Sequence, residues 1–298
     1  MAIVLPEGHP RERPGVPWSD ATARRRLRIG IMNLMPRLEA YEPSLLEPLA
    51  GHAEVVEPVF IRLASHGYHS SDHAHLARFY RSFDAAISGS PLDGLIVTGA
   101  PVEELAFEQV HYLRELEEIL GYARRHVAIT LGLCWGGLVI AHVLGIGKRV
   151  FARKLFGVYD DRVLVDRHDI VEPGMLSCAH SRHAGVVEAD LESAARAGTV
   201  RALAQGAHTG YTMFETTDLR YLAHLGHPEY EAERLAQEWH RDRGLGRSDV
   251  DPPANLDAAA PITTWRAHRA ALFDGLLRRA ARGREVVQPG APDATPRR

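Results

Sequence analysis

Short apolar runs alternate with amphipathic stretches along the first half of the chain. The apolar runs are rich in β-branched residues and predict four buried strands, at 27–33, 54–63, 93–99 and 127–133. The stretches between them carry apolar residues at helical spacing and predict helices that begin near Pro43, span 75–83 and 103–125, and end near Gly145. This order is typical of an α/β fold with three layers, in which helices flank a mostly parallel sheet.

From residue 154 onward the pattern changes to shorter β-like runs. They predict antiparallel strands that extend the same sheet, at 156–165, 200–203, 211–215 and 221–225. A charged helix is predicted over 231–243 and a C-terminal helix over 265–282. We therefore predict three regions: an irregular arm over 1–26, a single α/β domain over 27–285 and a disordered tail over 286–298.

Composition narrows the class of protein. The 298 residues, 45% hydrophobic and 24% charged, suffice for one large α/β domain, and the net charge of −3 gives no reason to expect nucleic-acid binding. Two cysteines are too few for a disulfide framework and fit a reducing compartment. The sequence shows neither a signal-peptide pattern nor an apolar run of about 18 residues, so we expect a cytoplasmic protein without membrane association.

Cys134 ends an apolar, β-branched run and is followed by Trp, two glycines and a helix-like segment, in VAITLGLCWGGLVIA. An α/β enzyme presents a nucleophile in this way, at a tight strand-to-helix turn with the N–H groups of the helix start beside it. A buried, unreactive cysteine is the alternative interpretation. On this segment alone the two interpretations are equally supported.

His227 and Glu229 lie two residues apart at the end of another apolar run, YLAHLGHPEY. In extended backbone, residues i and i+2 point the same way, so the carboxylate can accept the second N–H of the imidazole. With Cys134 upstream, the pair completes a candidate nucleophilic triad in which the histidine is the base and the glutamate orients it. One histidine among 17 carries little weight, but His-Pro-Glu after a strand is far more specific.

Histidines near the middle of the chain raise the question of a metal site. The candidate ligands are His168, Cys178, His180 and His183. Their spacing matches no common zinc pattern, so we expect no metal. Cys178 is expected to be a packed small residue rather than a redox partner of Cys134.

Motifs spread over residues 27–280 resemble those of the class I glutamine amidotransferase-like superfamily. The whole chain is similar to the acyl-transferring branch, the homoserine O-acyltransferases of methionine biosynthesis. The shared segments are MNLMP at 32–36, HLARFY at 75–80, GLIVTGAPVE at 94–103, CW at 134–135, KLFGVY at 154–159, HSR at 180–182, GHPEY at 226–230 and WRAH at 265–268. The resemblance implies a flavodoxin-like α/β fold and suggests a homodimer.

The resemblance also implies a role for each matching residue. Cys134 matches the nucleophile that takes the acyl group from acyl-CoA, His227 the general base, and Glu229 the residue that orients this base. The positions that hold the amino-acid substrate in the family match Lys154, Ser181 and Arg241. A cation suits the α-carboxylate of that substrate, and a polar group suits its ammonium or hydroxyl.

The acyl donor is expected to be acetyl-CoA, used as a co-substrate, with no bound cofactor. In the family, a glutamate at the position of Glu103 goes with acetyl-CoA and a glycine with succinyl-CoA. A carboxylate there would fill the space of a succinyl tail and repel its charge. Backbone N–H groups of Trp135 and of the 99–102 turn, with Val102 at its end, are expected to stabilise the oxyanion.

Two departures from the family pattern bear on the acceptor. Residues 36–43 read PRLEAYEP where the family usually has a Lys and a Thr-Glu pair, and Leu138 stands where a Gln usually follows the nucleophile. L-Homoserine is the first candidate acceptor and L-serine the second, because one methylene is worth only about 1 to 3 kcal/mol of discrimination. Three further functions stay open: a homoserine O-succinyltransferase, a glutaminase that supplies ammonia as part of a glutamine amidotransferase, and an inactive binding protein.

Overall fold

A computed structural model describes residues 3–10, 26–50 and 52–287 of the chain. The strands of this part are β1 (Leu27–Met32), β2 (Val56–Ile61), β3 (Gly94–Val97), β4 (Ile129–Leu133), β5 (Lys148–Val163), β6 (Met175–Val186), β7 (Val200–Gly206), β8 (Gly210–Thr216) and β9 (Tyr221–His224). The helices are α1 (Leu38–Leu49), α2 (His73–Phe79), α3 (Phe83–Ile87), α4 (Leu113–His126), α5 (Trp135–Val143), α6 (Glu188–Arg196), α7 (Ala232–Gly244) and α8 (Arg266–Val287).

All described strands join one sheet in the order β2-β1-β3-β4-β9-β8-β7-β5-β6. In the half from β2 to β9 all neighbouring strands are parallel, and helices α1 to α4 supply the connections between β1, β2, β3 and β4. The half from β9 to β6 is antiparallel. The predicted α/β fold is confirmed, with a mixed sheet whose parallel half carries the predicted nucleophile at the end of β4.

Helices cover both faces of this sheet. On one face α1, α7 and α8 contribute to a core that includes Leu45, Leu235 and Phe273. On the other face α3, α4, α5 and α6 contribute to a second core that includes Leu116 and Ile140. The sheet is therefore the middle of three layers, and its carboxyl edge is left open between the two helical layers.

Two predicted helices begin elsewhere in the structure. The helix expected from near Pro43 begins at Leu38 and contains both Pro43 and Pro48, because burying an apolar face that includes Leu45 outweighs the lost backbone hydrogen bonds. The helix expected over 103–125 begins only at Leu113, after a turn and a short 3₁₀ helix at Phe107–Gln109. The residues before it form a wall of the candidate site.

Strand β6 and helix α6 were not predicted. The strand contains Cys178, His180, Ser181 and Arg182, and polar residues at buried positions hide its β pattern. Arg182 shows how such residues are accommodated, since its guanidinium donates to the carbonyl oxygens of Ala184 and Thr209.

The described start of the chain packs on the domain. Ile3 forms a parallel bridge with Val56, and the His9 ring stacks on Phe60 with 5.2 Å between the ring centroids. The rest of the predicted arm, at 1–2 and 11–25, and the predicted tail from 288 onward lie outside the described residues, whereas 286–287 of the predicted tail belong to helix α8. In the described part, none of the helices combines the length and the apolar character that crossing a membrane requires.

The turn between β4 and α5 depends on two glycines. A Cβ on Gly132 would lie 2.5 Å from the carbonyl carbon of Gly136, and a Cβ on Gly136 would lie 2.2 Å from the carbonyl oxygen of Val97. Both contacts are far below van der Waals distance and involve backbone, which cannot swing away. Helix α5 can therefore approach β3 and β4 this closely only because Gly132 and Gly136 have no side chains.

Replacing Gly136 by Ala should lower the free energy of unfolding by about 1 to 3 kcal/mol, because the new methyl group collides with the β3 backbone. The matched control is Gly121→Ala, also in a helix, where the Cβ would meet only the end of Arg125 at 3.8 Å. This control should gain about 0.5 to 1 kcal/mol from helix propensity. Denaturant unfolding of both variants measures the difference, and equal stability would contradict the packing argument.

Candidate active site

Cys134 occupies a strained backbone position between β4 and α5. Its dihedral angles are φ 49° and ψ −107°, in the left-handed half of the map that favours glycine. Two hydrogen bonds hold it there: its N–H donates to the carbonyl of His224 at 2.8 Å, and its carbonyl accepts from the N–H of Leu138 at 3.1 Å. The thiol is thereby fixed at the carboxyl edge of the sheet.

His227 and Glu229 form the predicted pair directly after β9. The Nδ1 atom of His227 lies 2.7 Å from Oε1 of Glu229, which is fully buried. The N–H of His227 donates to the carbonyl of Ala179 at 2.8 Å, and the imidazole stacks on the Tyr230 ring at 4.1 Å between centroids. With Nδ1 on the carboxylate, Nε2 is the ring nitrogen left to exchange a proton.

Gly99 is the point where the cysteine and the histidine meet. A Cβ built on Gly99 would lie 3.3 Å from Cε1 of His227 and 3.4 Å from Cβ of Cys134. Both residues line one cavity of about 410 Å³. The absence of a side chain at the end of β3 therefore leaves the space beside the thiol and the imidazole open.

In this structure the thiol donates a hydrogen bond to a carboxylate. Sγ of Cys134 lies 2.7 Å from Oε1 of Glu103, while Oε2 of Glu103 accepts from the N–H of His183 at 2.6 Å. Burial raises the pKa of Cys134 well above its ordinary value, the charge and hydrogen bond of Glu103 raise it further, and the Arg182 guanidinium opposes them. The hydrogen bond to Glu103 and the raised pKa therefore both favour the protonated thiol over the thiolate.

The opposite wall of the cavity is a network of paired charges on β5, β6 and α7. Nζ of Lys154 lies 2.8 Å from Oδ2 of Asp242 and 3.5 Å from Oε2 of Glu238. The Ser181 hydroxyl donates to Glu238, and Arg241, with a half-exposed side chain, donates from Nε to Oδ1 of Asp242 at 2.8 Å. Burial acts to raise the pKa of Glu238, but Lys154 and the Ser181 hydrogen bond lower it to about 2.

The predicted site residues converge on this cavity. Those that line it are Glu103, Cys134, Lys154, Ser181, His227 and Arg241. Glu229 lies behind His227 and reaches the cavity only through that ring. Their assigned roles remain predictions, but one space brings together side chains that are dispersed over most of the sequence.

Two predicted backbone donors differ in their placement. Trp135 opens α5 directly after Cys134 and is buried, so its N–H belongs to the first turn of that helix. The N–H of Val102 donates to the carbonyl of Ala100 at 2.9 Å, and Val102 is not among the residues that line the cavity. In this structure the 99–102 turn therefore does not offer the Val102 N–H to a substrate.

Several residues of the site were missed by the sequence analysis. They are Tyr41, Tyr230, Glu238 and Asp242. The spacing of Glu238 and Asp242 puts both carboxylates on one face of a helix, a pattern that solvent-exposed helices share. Only the position of α7 across the cavity shows that these two carboxylates belong to the site.

The departures from the family pattern fall in two different environments. Leu138 is 1% exposed and packs in the apolar core under α5, away from the cavity. Pro36 and Arg37 line the cavity, and Arg37 takes a left-handed conformation with φ 53°. The altered 36–43 segment therefore bears directly on the site, whereas Leu138 does not.

A group of histidines and a cysteine lies under the site. Nε2 of His224 is 2.9 Å from Nε2 of His268, near Cys178, and Nδ1 of His224 accepts from the N–H of Gly226 at 3.0 Å. Burial lowers the pKa of both rings, to about 4 for His268. Neutral rings in which His224 donates to His268 account for these contacts without a metal ion.

Sequence comparisons give a consistent set of relatives. A sequence model of the homoserine O-succinyltransferase family matches residues 18–280. Homoserine O-acetyltransferase of Petrotoga mobilis is 35% identical over 261 residues, which make up 85% of this chain and 83% of that protein. Homoserine O-acetyltransferase of Bacillus licheniformis is 34% identical over 258 residues, 84% of this chain and 83% of that protein.

Solved structures with the same fold include glutamine amidotransferases. A glutamine amidotransferase of Thermotoga maritima has a TM-score of 0.51 at 12% identity, covering 86% of this chain and 96% of that one. A glutamine amidotransferase of Methylobacillus flagellatus has a TM-score of 0.51 at 13% identity, covering 87% and 94%. At such identities the likeness concerns the fold alone.

Replacing Glu103 by Gln should make Cys134 more reactive toward iodoacetamide near neutral pH. Loss of the negative charge beside Sγ lowers the thiol pKa, so more thiolate is present and alkylation accelerates about three- to tenfold. Peptide mass spectrometry separates Cys134 from Cys178. Glu104→Gln is the control, because this neighbouring carboxylate pairs with Arg247 rather than with the thiol. An unchanged or slower reaction in Glu103→Gln would refute the electrostatic argument.

Proposed function

The chain belongs to the homoserine O-succinyltransferase family, and on that premise we propose that it transfers an acetyl group from acetyl-CoA to L-homoserine through a thioester on Cys134. Homoserine acyl transfer is the activity that the family and its curated relatives have in common. The observation that carries the finer proposal is the shared cavity, which Cys134 and His227 line together with the predicted substrate residues while Glu229 contacts His227 from behind.

The first half of the reaction acylates the cysteine. His227 accepts the thiol proton at Nε2, and Sγ of Cys134 forms a bond to the thioester carbonyl carbon of acetyl-CoA. The tetrahedral oxyanion is stabilised by backbone N–H groups, among which we propose that of Trp135. When the intermediate collapses, the bond to the CoA sulfur breaks and His227 returns the proton to that sulfur.

The second half transfers the acetyl group to the acceptor. His227 removes the proton of the homoserine side-chain hydroxyl, whose oxygen attacks the thioester carbonyl of acetyl-Cys134. Collapse breaks the bond to Sγ, which regains a proton from His227, and O-acetylhomoserine leaves. Because CoA departs before the acceptor reacts, the kinetics are ping-pong.

The charged wall supports the binding of an amino acid. Lys154 already faces Glu238 and Asp242, whereas Arg241 is half exposed and, within the described part of the chain, forms an ion pair with Asp242 alone. We therefore assign the α-carboxylate to Arg241, assisted by Lys154, and the α-ammonium to Glu238 beside Ser181. Glu238 suits this role because its pKa of about 2 keeps the carboxylate ionised near neutral pH.

Acetyl is favoured over succinyl because of Glu103. Its carboxylate lies 2.7 Å from Sγ of Cys134, close to where the acyl chain would extend from the thioester. A succinyl tail would meet both the bulk and the negative charge of this group. L-Serine remains the second candidate acceptor, supported by the altered segment of which Pro36 and Arg37 line the cavity.

Incubation with acetyl-CoA alone should leave one acetyl group on Cys134, detected by mass spectrometry of the intact protein and its peptides. Cys134→Ser should show no stable adduct and lose transfer by several orders of magnitude, because a serine hydroxyl is far less acidic than a thiol. Cys178→Ser is the matched control and should keep both adduct and activity. Glutaminase activity without an adduct would instead support the amidotransferase function.

Initial rates should be highest for acetyl-CoA with homoserine when acetyl-CoA and succinyl-CoA are each combined with homoserine and with serine. Glu103→Gly should raise the ratio of kcat/KM for succinyl-CoA to that for acetyl-CoA by about tenfold or more, equivalent to about 1.4 kcal/mol. Glu104→Gly, a neighbouring carboxylate that also lines the cavity, should leave the ratio unchanged. An unaltered preference in Glu103→Gly would discard the argument from charge and volume.

A further inference from the structure

Tyr41 contacts the catalytic pair from the altered segment at 36–43. It lies on α1, its side chain is 1% exposed, and its hydroxyl donates a hydrogen bond to Oε1 of Glu229. The same oxygen lies 2.7 Å from Nδ1 of His227. One carboxylate oxygen therefore receives both the tyrosine hydroxyl and the imidazole N–H.

Glu229 depends on these donors because little else solvates it. The residue is fully buried, and Oε2 has no hydrogen-bond partner among the described residues. A buried carboxylate stays ionised only where hydrogen bonds or opposite charges compensate for lost water. The hydroxyl of Tyr41 is thus a principal support of the negative charge that orients His227.

The position of Tyr41 is itself fixed by its surroundings. Its ring meets the Tyr230 ring edge-on at 6.1 Å, and the Arg234 guanidinium lies 5.7 Å from the centroid of each of these rings. Burial raises the pKa of Tyr41 well above its ordinary value, and the negative charge of Glu229 raises it further. The hydroxyl therefore remains a donor throughout the pH range of an enzyme assay.

We propose that Tyr41 is a positioning residue of this enzyme, which holds Glu229 and through it His227 in the orientation that both halves of the acyl transfer require. The proposal rests on the proposed function of Cys134 and His227. Tyr41 is not among the residues that line the cavity, so its effect passes through Glu229 rather than through contact with a substrate.

Tyr41→Phe removes the hydroxyl and keeps the ring. Because His227 serves as the base in both halves, kcat/KM for acetyl-CoA and kcat/KM for homoserine should fall by a similar factor of about 10 to 100. A residue that touched only one substrate would lower one of these constants. Equal losses in the two kcat/KM values therefore indicate that Tyr41 acts through His227, the base shared by both halves of the reaction.

The variant should also move the acid limb of the kcat/KM profile to higher pH. Tyr41→Phe removes one of the two hydrogen bonds that the negative charge on this carboxylate oxygen receives, so the form of the pair that can accept a proton is less favoured at low pH. The other titratable groups around this pair are Cys134, Cys178, His180, His224, Tyr230 and Glu238, with Arg234 as the nearby cation. The substitution leaves all of them in place.

Tyr80→Phe is the matched control. Tyr80 is also a buried tyrosine, and its hydroxyl donates to Oε1 of Glu42 on α1 at 2.9 Å. Both variants remove one hydrogen bond to a buried carboxylate around the same helix, and Tyr80→Phe also removes the bond that the Tyr80 hydroxyl accepts from Nδ2 of Asn33 at 3.3 Å. The unfolding free energy of Tyr80→Phe should therefore fall at least as much as that of Tyr41→Phe. Only Tyr41→Phe should change the two kcat/KM values and the pH profile.

The pH dependence of Cys134 alkylation by iodoacetamide gives a readout that does not require acyl transfer. If the wild-type protein transfers no acyl group, the proposed function fails, while a shifted alkylation profile in Tyr41→Phe still supports the positioning role. If Tyr41→Phe matches the wild type in rates and profile, or matches Tyr80→Phe in every measurement, the positioning role is overturned. Unequal losses in the two half-reactions would overturn it as well.

Discussion

Cys134 can direct its thiol into the cavity because the turn from β4 to α5 packs directly against the backbone of the neighbouring strand β3, with no side chain in between. Gly132 and Gly136 allow backbone to touch backbone, and the carbonyl of His224 holds the N–H of the strained cysteine. The strain at φ 49° persists because the packing around the turn offers no other conformation. The cavity, the helix start beside the thiol and the approach of His227 all depend on this turn.

Three buried carboxylates lie around the turn, and each contacts a different group. Glu103 accepts a hydrogen bond from the Cys134 thiol, Glu229 accepts one from the His227 imidazole, and Glu238 contacts Lys154 and Ser181. Negative charge beside Sγ favours the thiol over the thiolate, so in the proposed mechanism His227 removes the thiol proton only when the substrate is bound. A resting thiol is also less exposed to oxidation.

The fold alone does not account for the activity of a homoserine O-acyltransferase. Glutamine amidotransferases share the architecture at 12–13% identity. In the proposed function, recognition of the amino acid depends on the wall opposite Cys134, where β5, β6 and α7 bring paired charges to the cavity. A shared fold does not by itself set the reaction, because the chemistry depends on the side chains that surround the site.

The sequence by itself determined whatever lies within a few residues along the chain. Three features are local patterns that the sequence shows directly: the order of strands and helices, the cysteine at the end of β4 and the spacing of His227 and Glu229. They can be recognised because each follows from local backbone geometry. The start of α1 at Leu38 could not be predicted from the sequence, because burial of its apolar face outweighs the proline signal. Strand β6 was missed because polar residues at its buried positions hide the β pattern. Tertiary structure alone decided that Glu103 touches the thiol across 31 residues, that Ser181 reaches Glu238 across 57 and that Tyr41 reaches Glu229 across 188. Such contacts are set by how the layers pack, and no short-range periodicity records them.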